Sequence, residues 1–581
     1  MSTQTERSTD PDQDRLGIRS ALDDPTAAAG QLAAILLADA TSNLRGRVPV
    51  DGIVQLLTGL AGHPGRVLRR LGGLTGELAS IGWGRSRVEP EPKDRRFLDP
   101  AWRANPLLHR VLQAHLAAAE ALDGLVDDAN LDVQMSERMT LLADNVAAAM
   151  APSNAALLNP AVVSAAVHSR GASVVRGARA LAQDLRGGPA LPAIVDSSKF
   201  SVGEDIAMTT GAVVLRTPLL ELIQYEPTTV EVDPVPLLLI PSVVNKYYLV
   251  DLSPGRSMVA DALRRGRQCF VVSFVNPDVA HAGLGLDDYT SALLEALAAV
   301  EAISGSPHTH VAAFCAGTLM LAVVAGYLAA VGKLDRLASI TLALAVLDPE
   351  QGGLMNALLD RRAADRAIAK AARAGYVDGR STASMFAWIR PNEGIWLPAI
   401  NNYLLGNDPP AFDLLFWADD ATNVTAALQR DMIEITLGNG FAHPNQVRVL
   451  ERPIDLTQVR VDAYLLAGLT DHIAPWPGCY RSATLLGSKS RFVVADAGHA
   501  AVIVAPPEAK RGRYRTNRAR PANPQSWLEK ASVHQGSWWD DWHRWLDRRT
   551  AGRRPSPATL GDADHPPIEP APGTYVRRRI R

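Results

Sequence analysis

The chain has 581 residues, of which 47% are hydrophobic and 21% charged, so it is long enough for several domains and a sizeable core. This composition excludes a mostly disordered chain, a collagen-like fibre and a coiled coil. With 59 Lys and Arg against 61 Asp and Glu, the net charge is -2, so we expect no nucleic-acid partner. The three cysteines, Cys269, Cys315 and Cys479, exclude a disulfide-rich secreted domain and favour a cytoplasmic location.

The first part of the chain is predicted to be helical after a polar start. Residues 1–25 are polar and predict a disordered N-terminus without the apolar run of a signal peptide. Residues 26–190 carry Ala and Leu at three- and four-residue spacing, which predicts a helical N-terminal domain. Pro and Gly near residue 190 end this pattern.

Residues 191–545 predict an α/β catalytic domain. Short apolar runs alternate with helical patterns, which indicates βαβ units and a parallel sheet. The strand rhythm lapses at about 350–450, where we predict a helical lid insertion, and residues 546–581 predict an irregular basic C-terminal tail. The six predicted strands lie in PVPLLLIPSVV, RQCFVVSFV, HTHVAAF, SITLALAVLD, VDAYLLAGL and SRFVVADAGH.

One uncharged stretch, residues 311–331, is long enough to suggest a membrane span. Its Ala, Gly and Val content and its Cys-Ala-Gly sequence instead indicate a buried strand, a sharp turn and a buried helix. We therefore predict no transmembrane segment.

The turn in this stretch has the pattern of a nucleophile elbow. Ala313-Phe314-Cys315-Ala316-Gly317 matches G-x-S-x-G with Cys for Ser and Ala for the first Gly. The helix that follows would lower the pKa of the Cys315 thiol, and the N–H of Ala316 would donate to an oxyanion. The alternative is a buried structural cysteine.

Two further residues complete a catalytic set in the order of an α/β-hydrolase fold. Asp471 follows the strand in LLAGLTDHIAPW, and His499 follows the strand in FVVADAGHAAVI. His499 would act as general base and Asp471 would orient its imidazole. His308 and His310 have the spacing of metal ligands but no acidic or cysteine partner nearby, so we expect no metal.

A cysteine nucleophile favours acyl transfer over hydrolysis. A serine would form an oxygen ester, whereas Cys315 would form a thioester. Exchange with a thioester substrate is then nearly isoenergetic, and the acyl group stays activated for a second transfer.

Several long stretches resemble the poly(3-hydroxyalkanoate) synthases, the polymerases of bacterial storage polyesters. The resemblance covers most of residues 95–577. The stretches that carry it are FLDPAWRANPLLHRVLQAHL, PLLLIPSVVNKYYLVDLSPGRSMV, RGRQCFVVSFVNPD, GYVDGRSTASMFAWIRPNEGIW, INNYLLGNDPPAFDLLFWADDATN, DHIAPW, AGHAAVIVAPP, GSWWDDWHRWL and PAPGTYV.

The resemblance implies an acyltransferase that polymerises (R)-3-hydroxyacyl-CoA into polyester and releases CoA, with no cofactor. It implies Cys315 as nucleophile, His499 as base, and Asp471 either as orienter of His499 or as activator of the substrate's 3-hydroxyl. It also implies a second oxyanion donor near Val244 and a supporting role for Asp251. A homodimer with Trp417 near the contact, and association with polyester granules, are further expectations.

The chain departs from the family pattern at the elbow, where Ala313 and Thr318 replace glycines, and in the loop Pro241–Lys246, which lacks an aromatic residue. Two other functions stay open at this point. One is a cysteine-dependent thioesterase or polyester depolymerase of the same fold, and the other is a non-catalytic granule-associated protein.

Overall fold

The computed structural model describes residues 50–186, 191–351, 360–509 and 511–579. The predicted disordered segment 1–25 and the first part of the predicted helical domain lie outside these residues. The described residues form two compact units, one of residues 50–186, 191–196 and 384–410, and the other of residues 197–351, 360–383, 411–509 and 511–579.

The helices alternate with strands only after residue 210, as the change in sequence pattern predicts. In chain order the helices are α1 Val50–Gly62, α2 Pro64–Gly82, α3 Ala101–Ala104, α4 Pro106–Asp128, α5 Val133–Ala149, α6 Pro160–His168, α7 Ala172–Arg186, α8 Met258–Arg264, α9 Leu286–Ser304, α10 Gly317–Ala330, α11 Arg361–Ala374, α12 Gly379–Ile389, α13 Leu397–Ala399, α14 Asp413–Asp419, α15 Ala426–Leu437, α16 Trp476–Leu485, α17 His499–Ile503, α18 Pro524–Glu529 and α19 Trp538–Asp547.

The strands are short, and those that pair in parallel are almost completely buried, which matches their continuous apolar runs. They are β1 Gly211–Arg216, β2 Leu220–Tyr225, β3 Glu231–Val232, β4 Leu237–Ile240, β5 Cys269–Phe274, β6 Thr309–Phe314, β7 Leu337–Ala343, β8 Tyr376–Val377, β9 Val424–Thr425, β10 Arg448–Val449, β11 Arg452–Pro453, β12 Ala463–Gly468, β13 Arg491–Ala495, β14 Arg513–Thr516, β15 Ser532–Gln535, β16 Arg554–Pro555 and β17 Glu569–Pro570.

Eleven strands form one mixed sheet in the order β15-β14-β13-β12-β7-β6-β4-β5-β2-β1-β17. The six strands from β13 to β5 in this order are parallel, and they are the six that the sequence predicts. Antiparallel pairs extend the sheet at both edges. Together with the helical N-terminal segment, this sheet confirms the predicted α/β-hydrolase fold class.

The helical unit has its own core, and part of the predicted lid belongs to that unit. Trp388 and Trp396 pack with Ala148, and Tyr403 packs with Val162. The predicted boundaries assigned residues 350–450 to the catalytic domain as one insertion. The structure divides this stretch because the aromatic residues of 384–410 bury their rings against α5 and α6.

The C-terminal segment, predicted to be irregular, is mostly without helix but is bound to the sheet. Strand β17 pairs with β1, and Tyr575 and Val576 are buried. The buried carboxylate of Glu221 on β2 accepts hydrogen bonds from the N–H groups of Thr574 and Tyr575. The segment is therefore part of the sheet unit.

Candidate active site

Cys315 lies in the turn between β6 and α10, where the backbone is held in a strained conformation. Its φ is 50°, a region that residues other than glycine seldom adopt. The Cys315 N–H donates to the Ala343 carbonyl at 2.9 Å, and its carbonyl accepts the hydroxyl of Thr318 at 2.6 Å. These bonds fix the turn, since strain of this kind persists only where the surroundings determine it.

Gly317 allows α10 to approach the end of β4. A Cβ at this position would lie 2.4 Å from the carbonyl oxygen of Pro241 and 2.6 Å from that of Ile240. The glycine predicted from the elbow pattern is thus required by close backbone approach. Thr318, where the family pattern has glycine, caps the Cys315 carbonyl through its hydroxyl.

The structure brings the three predicted catalytic residues into one hydrogen-bonded chain. The Nε2 atom of His499 lies 3.1 Å from the Cys315 sulfur, and its Nδ1 atom lies 2.7 Å from Oδ2 of Asp471. The other carboxylate oxygen of Asp471 accepts the N–H groups of Ile473 and Ala474 at 2.8 and 2.9 Å. Each residue follows a parallel strand, so all three lie at the carboxyl edge of the sheet.

The electrostatic interactions among Cys315, His499 and Asp471 favour a Cys315 thiolate that faces a His499 imidazolium. Burial alone would raise the pKa of the Cys315 thiol, but the facing His499 and the N–H of Ala316 outweigh burial and lower it. Burial would likewise lower the pKa of His499, yet the Cys315 sulfur and Asp471 raise it to about 10. A thiolate is the nucleophilic form of cysteine.

The space beside Cys315 is a small, mostly apolar cavity. Its volume, measured for the centre of a water-sized sphere, is about 10 Å³, which is the space of roughly one water molecule. Trp417 of α14 closes one side, and its indole N–H donates to the Lys246 carbonyl at 2.9 Å. The lining residues are Pro241, Ser242, Lys246, Leu249, Val250, Phe314, Cys315, Trp417, His499 and Ile503.

Lys246 is a cavity residue that the sequence analysis did not single out. It is only 3% exposed, and its ammonium donates to the Arg578 carbonyl at 2.6 Å. Burial lowers its pKa to about 8. Lys246 lies in the family-like stretch PLLLIPSVVNKYYLVDLSPGRSMV. A lysine in a loop is ordinarily solvated, so the sequence did not indicate its burial.

Of the predicted oxyanion donors and the supporting residue, only Ala316 faces the Cys315 sulfur. The N–H of Ala316 is directed at the Cys315 sulfur. The N–H of Val244 donates instead to the Ser242 hydroxyl at 3.3 Å, and Val244 is not among the residues lining the cavity. Asp251 is buried and accepts the hydroxyls of Thr209 and Ser257, which fixes its loop, and it does not line the cavity.

Other candidate residues from the sequence have ordinary structural surroundings. Cys269 and Cys479 are buried, and burial raises the pKa of each thiol. His310 bonds with the hydroxyls of Ser339 and Thr550, and His308 with the Asp335 carbonyl. Within the described ranges we find no cluster of metal-ligating side chains, and none of their helices is both long and apolar enough to cross a membrane.

Two family models agree with this architecture. Residues 93–261 match the family model described as the N-terminus of poly-beta-hydroxybutyrate polymerase, and residues 236–506 match that of the alpha/beta hydrolase fold. Among solved structures, an esterase from Thermogutta terrifontis aligns with a TM-score of 0.32 and 14% identity, over 59% of this chain and 99% of that one.

Curated relatives extend the similarity to nearly the whole chain. The poly(3-hydroxyalkanoate) polymerase 2 of Ectopseudomonas oleovorans is 40% identical over 93% of this chain and 96% of that protein. Polymerase 1 of the same organism is 40% identical over 87% and 90%. The polymerase subunit of Cupriavidus necator is 36% identical over 85% of each chain. At this identity and coverage, the chain belongs to the poly(3-hydroxyalkanoate) polymerase family of enzymes.

Proposed function

We propose that this enzyme polymerises (R)-3-hydroxyacyl-CoA into a polyester through a covalent thioester at Cys315. The observation that carries this proposal is the continuous chain from the Cys315 sulfur through His499 to Asp471. Cysteine, histidine and aspartate arranged in this way can catalyse either hydrolysis or acyl transfer, and membership of the polymerase family favours acyl transfer. No cofactor is required, because CoA enters as part of the substrate.

In the loading step, the Cys315 thiolate attacks the thioester carbonyl of the substrate. The resulting oxyanion accepts the N–H of Ala316, which already faces the sulfur. The C–S bond to CoA then breaks, and the His499 imidazolium gives its proton to the leaving thiolate. The products are acyl-Cys315 and free CoA, with His499 left neutral.

In the elongation step, neutral His499 accepts the proton of a 3-hydroxyl group. The hydroxyl oxygen attacks the acyl carbonyl on sulfur, an ester bond forms, and the C–S bond to Cys315 breaks. His499 again faces a thiolate, so the pair returns to its starting charge. A second oxyanion donor at Val244 stays a prediction, and it would require the bond to Ser242 to break.

Asp471 acts in this proposal as the orienter of His499. Its side chain is fully buried, one oxygen is held by two N–H groups and the other by His499. It does not line the cavity. These contacts support orientation of the imidazole over direct activation of the substrate's 3-hydroxyl.

Substrate entry requires movement of the cover formed by part of residues 350–450. A cavity for one water molecule cannot hold a hydroxyacyl group, and Trp417 is the lining residue that belongs to this cover, so we expect Trp417 to move. Closure would keep water from the acyl-thioester. Limited proteolysis without substrate should cut within 350–450 before it cuts β7 or β12, and first cuts in those strands would contradict a mobile cover.

The reaction is tested by incubation with 3-hydroxybutyryl-CoA and longer analogues. CoA release together with an insoluble polyester supports the proposal, and Cys315→Ala should abolish both. CoA release with free hydroxy acid instead would indicate a thioesterase. If none of these thioesters releases CoA, the result would indicate a non-catalytic granule-associated protein.

We further propose that the chain is cytoplasmic and associates with polyester granules. Large exposed apolar side chains are frequent in the helical unit, among them Leu57, Leu68 and Trp83, which are 60%, 71% and 73% exposed. Such a surface suits an apolar polymer. Co-sedimentation with polyester particles should fall when Leu57 and Leu68 are replaced by Glu, and unchanged sedimentation would contradict the proposal.

The family resemblance also supports a homodimer. In this chain Trp417 is buried against the cavity, so an interface that uses it would form with the cover displaced. Sedimentation at several concentrations, with and without substrate, tests this expectation, and a monomer under both conditions would contradict it.

A further inference from the structure

One side of helix α11 carries three exposed basic residues. Arg366, Lys370 and Arg373 are exposed, and their spacing of four and three residues places them on one side of the helix. Ala364 and Ala371, on the opposite side, are buried. The helix is thus amphipathic, with a positively charged stripe facing away from its packing contacts.

The stripe is not neutralised by its neighbours. Arg361, off the stripe, bonds with Asp365 and with Glu434 of α15. In the part of the chain that the structure describes, Arg366, Lys370 and Arg373 form no such pair. Like charges at this spacing repel each other, and the whole chain has a net charge of -2. Arg373, in the last turn, also suits the helix dipole, but Arg366 and Lys370 precede that turn, and the stripe as a whole is suited to an anionic ligand.

The C-terminal end of α11 lies at the same edge of the sheet as Cys315. A Cβ on Gly375, which ends the helix, would lie 3.2 Å from the Cα atom of Val279. Val279 belongs to the turn that follows β5, and β5, β4 and β6 are parallel neighbours in that order. Strand β5 therefore lies two strand spacings, or about 10 Å across the sheet, from β6, the strand that leads to Cys315.

The proposed substrate has an anionic group remote from its reacting carbon. A CoA thioester carries a diphosphate and a ribose 3′-phosphate at the far end of its pantetheine arm. With the thioester at Cys315, the nucleotide must remain outside the small apolar cavity, near the carboxyl edge of the sheet. We propose that Arg366, Lys370 and Arg373 bind the phosphate groups of the substrate's CoA moiety, an inference that rests on the proposed function.

Guanidinium and ammonium groups suit this role. Arginine offers two parallel N–H donors to a phosphate, and lysine offers a point charge. A positive stripe at the rim also raises the local concentration of an anionic substrate, and this effect weakens with salt. The stripe thus contributes to substrate capture and has no part in the chemical step.

The test compares two thioesters that differ only in the nucleotide. The triple variant R366Q/K370Q/R373Q should raise KM for 3-hydroxybutyryl-CoA by at least about tenfold with kcat unchanged. KM for 3-hydroxybutyryl-pantetheine, which lacks the phosphates, should not change. The wild-type KM for the CoA thioester should rise with salt more steeply than that of the variant. Equal effects on both thioesters, or no effect on either, would overturn the proposal.

A matched control removes three exposed basic residues of the same unit outside α11. The variant K333Q/K530Q/R548Q lowers the net charge equally and should leave both KM values unchanged. A rise of KM with this control would assign the effect to net charge and overturn the proposal of a site.

Direct binding separates this inference from the proposed reaction. Calorimetry on the Cys315→Ala chain should detect adenosine 3′,5′-bisphosphate, and the stripe variant in the same background should bind it at least about tenfold more weakly. Inorganic phosphate at the same concentration should compete poorly, since a single phosphate spans only part of the stripe. If wild type turns over neither thioester, the proposed function fails, yet loss of nucleotide binding in the stripe variant would still support the site. Equal binding by both chains would overturn it.

Discussion

The proton between Cys315 and His499 determines how the enzyme responds to pH. The thiol pKa is lowered and the imidazole pKa is raised, so between the two values the pair is thiolate and imidazolium. The thiolate is lost only when pH falls through the lowered thiol pKa. Reactivity should therefore extend below the ordinary thiol value of 9.0.

Alkylation by iodoacetamide measures this property without substrate. Iodoacetamide reaches Cys315 only when the cover opens, so opening limits the absolute rate. In the wild type this rate should nevertheless not fall as pH drops below 9, because the thiolate persists. His499→Gln should move the midpoint up towards the ordinary thiol value, because the neutral amide cannot stabilise the thiolate. Cys315→Ala is the control, and it should abolish rapid labelling since Cys269 and Cys479 are buried. An unchanged midpoint in His499→Gln would remove His499 from the pair.

Asp471→Asn tests the role of the buried carboxylate. If Asp471 orients His499 as proposed, acyl loading and elongation should slow together, by about 10²–10⁴-fold as for lost acid–base catalysis. The two steps are measured separately, as CoA released in the first turnover and as polyester formed later. Normal loading with failed elongation would assign Asp471 to the 3-hydroxyl instead.

At the level of elements, the junction of β6, α10 and β4 sets the geometry of the site. Gly317 lets α10 lie against the carbonyls at the end of β4. The same helix points its N-terminus at the sulfur, where the dipole favours negative charge. The packing of one glycine therefore also controls the electrostatics of the nucleophile.

Gly317→Ala should weaken both folding and activity. The added methyl group would meet the Pro241 carbonyl at 2.4 Å, and overpacking of this kind costs about 1–3 kcal/mol. Urea unfolding measures the loss, and CoA release measures activity. Gly72→Ala in α2 is the matched control, because its Cβ meets nothing within 4 Å. Equal stability of both variants would show that the junction can relax.

Across the whole molecule, the sheet joins residues far apart in sequence. Glu221, early in the catalytic unit, bonds with the N–H groups of Thr574 and Tyr575 and pairs with Arg216. The Arg578 carbonyl then accepts the ammonium of Lys246 in the cavity wall. The C-terminal segment thus connects the edge of the sheet with the active site.

Glu221→Gln should loosen this connection. The variant removes one charged acceptor from a fully buried site, and an unsatisfied buried group costs about 1–3 kcal/mol. Hydrogen exchange at Thr574 and Tyr575 should accelerate, and the urea midpoint should fall. Glu226→Gln, at an exposed position just after β2, is the control. Unchanged exchange in Glu221→Gln would show that β17 alone holds the segment.

The sequence predicted the parallel strands and the catalytic residues Cys315, Asp471 and His499 because each is marked by a short, local sequence pattern. A continuous apolar run marks a strand buried on both faces, and the elbow requires small residues at fixed positions. The antiparallel strands β1 and β2 were missed, since their pattern includes Arg216 and Glu221, whose charges are satisfied by each other and by the distant C-terminal segment. The grouping of residues 384–410 with the helical unit and the burial of Lys246 depend on distant contacts, which no local pattern records.

The apolar lining of the space beside Cys315 also bears on the product that leaves the enzyme. Each acyl-Cys315 either meets another hydroxyl or is lost to a water molecule, and the ratio of these two events sets the average molar mass. A mostly apolar lining, with Trp417 on one side, offers water few hydrogen-bond partners and makes the second event rare, so long chains follow from exclusion of water rather than from a fast catalytic step. Substitutions that make the space beside Trp417 more polar would then shorten the polymer while leaving the rate of monomer consumption nearly the same.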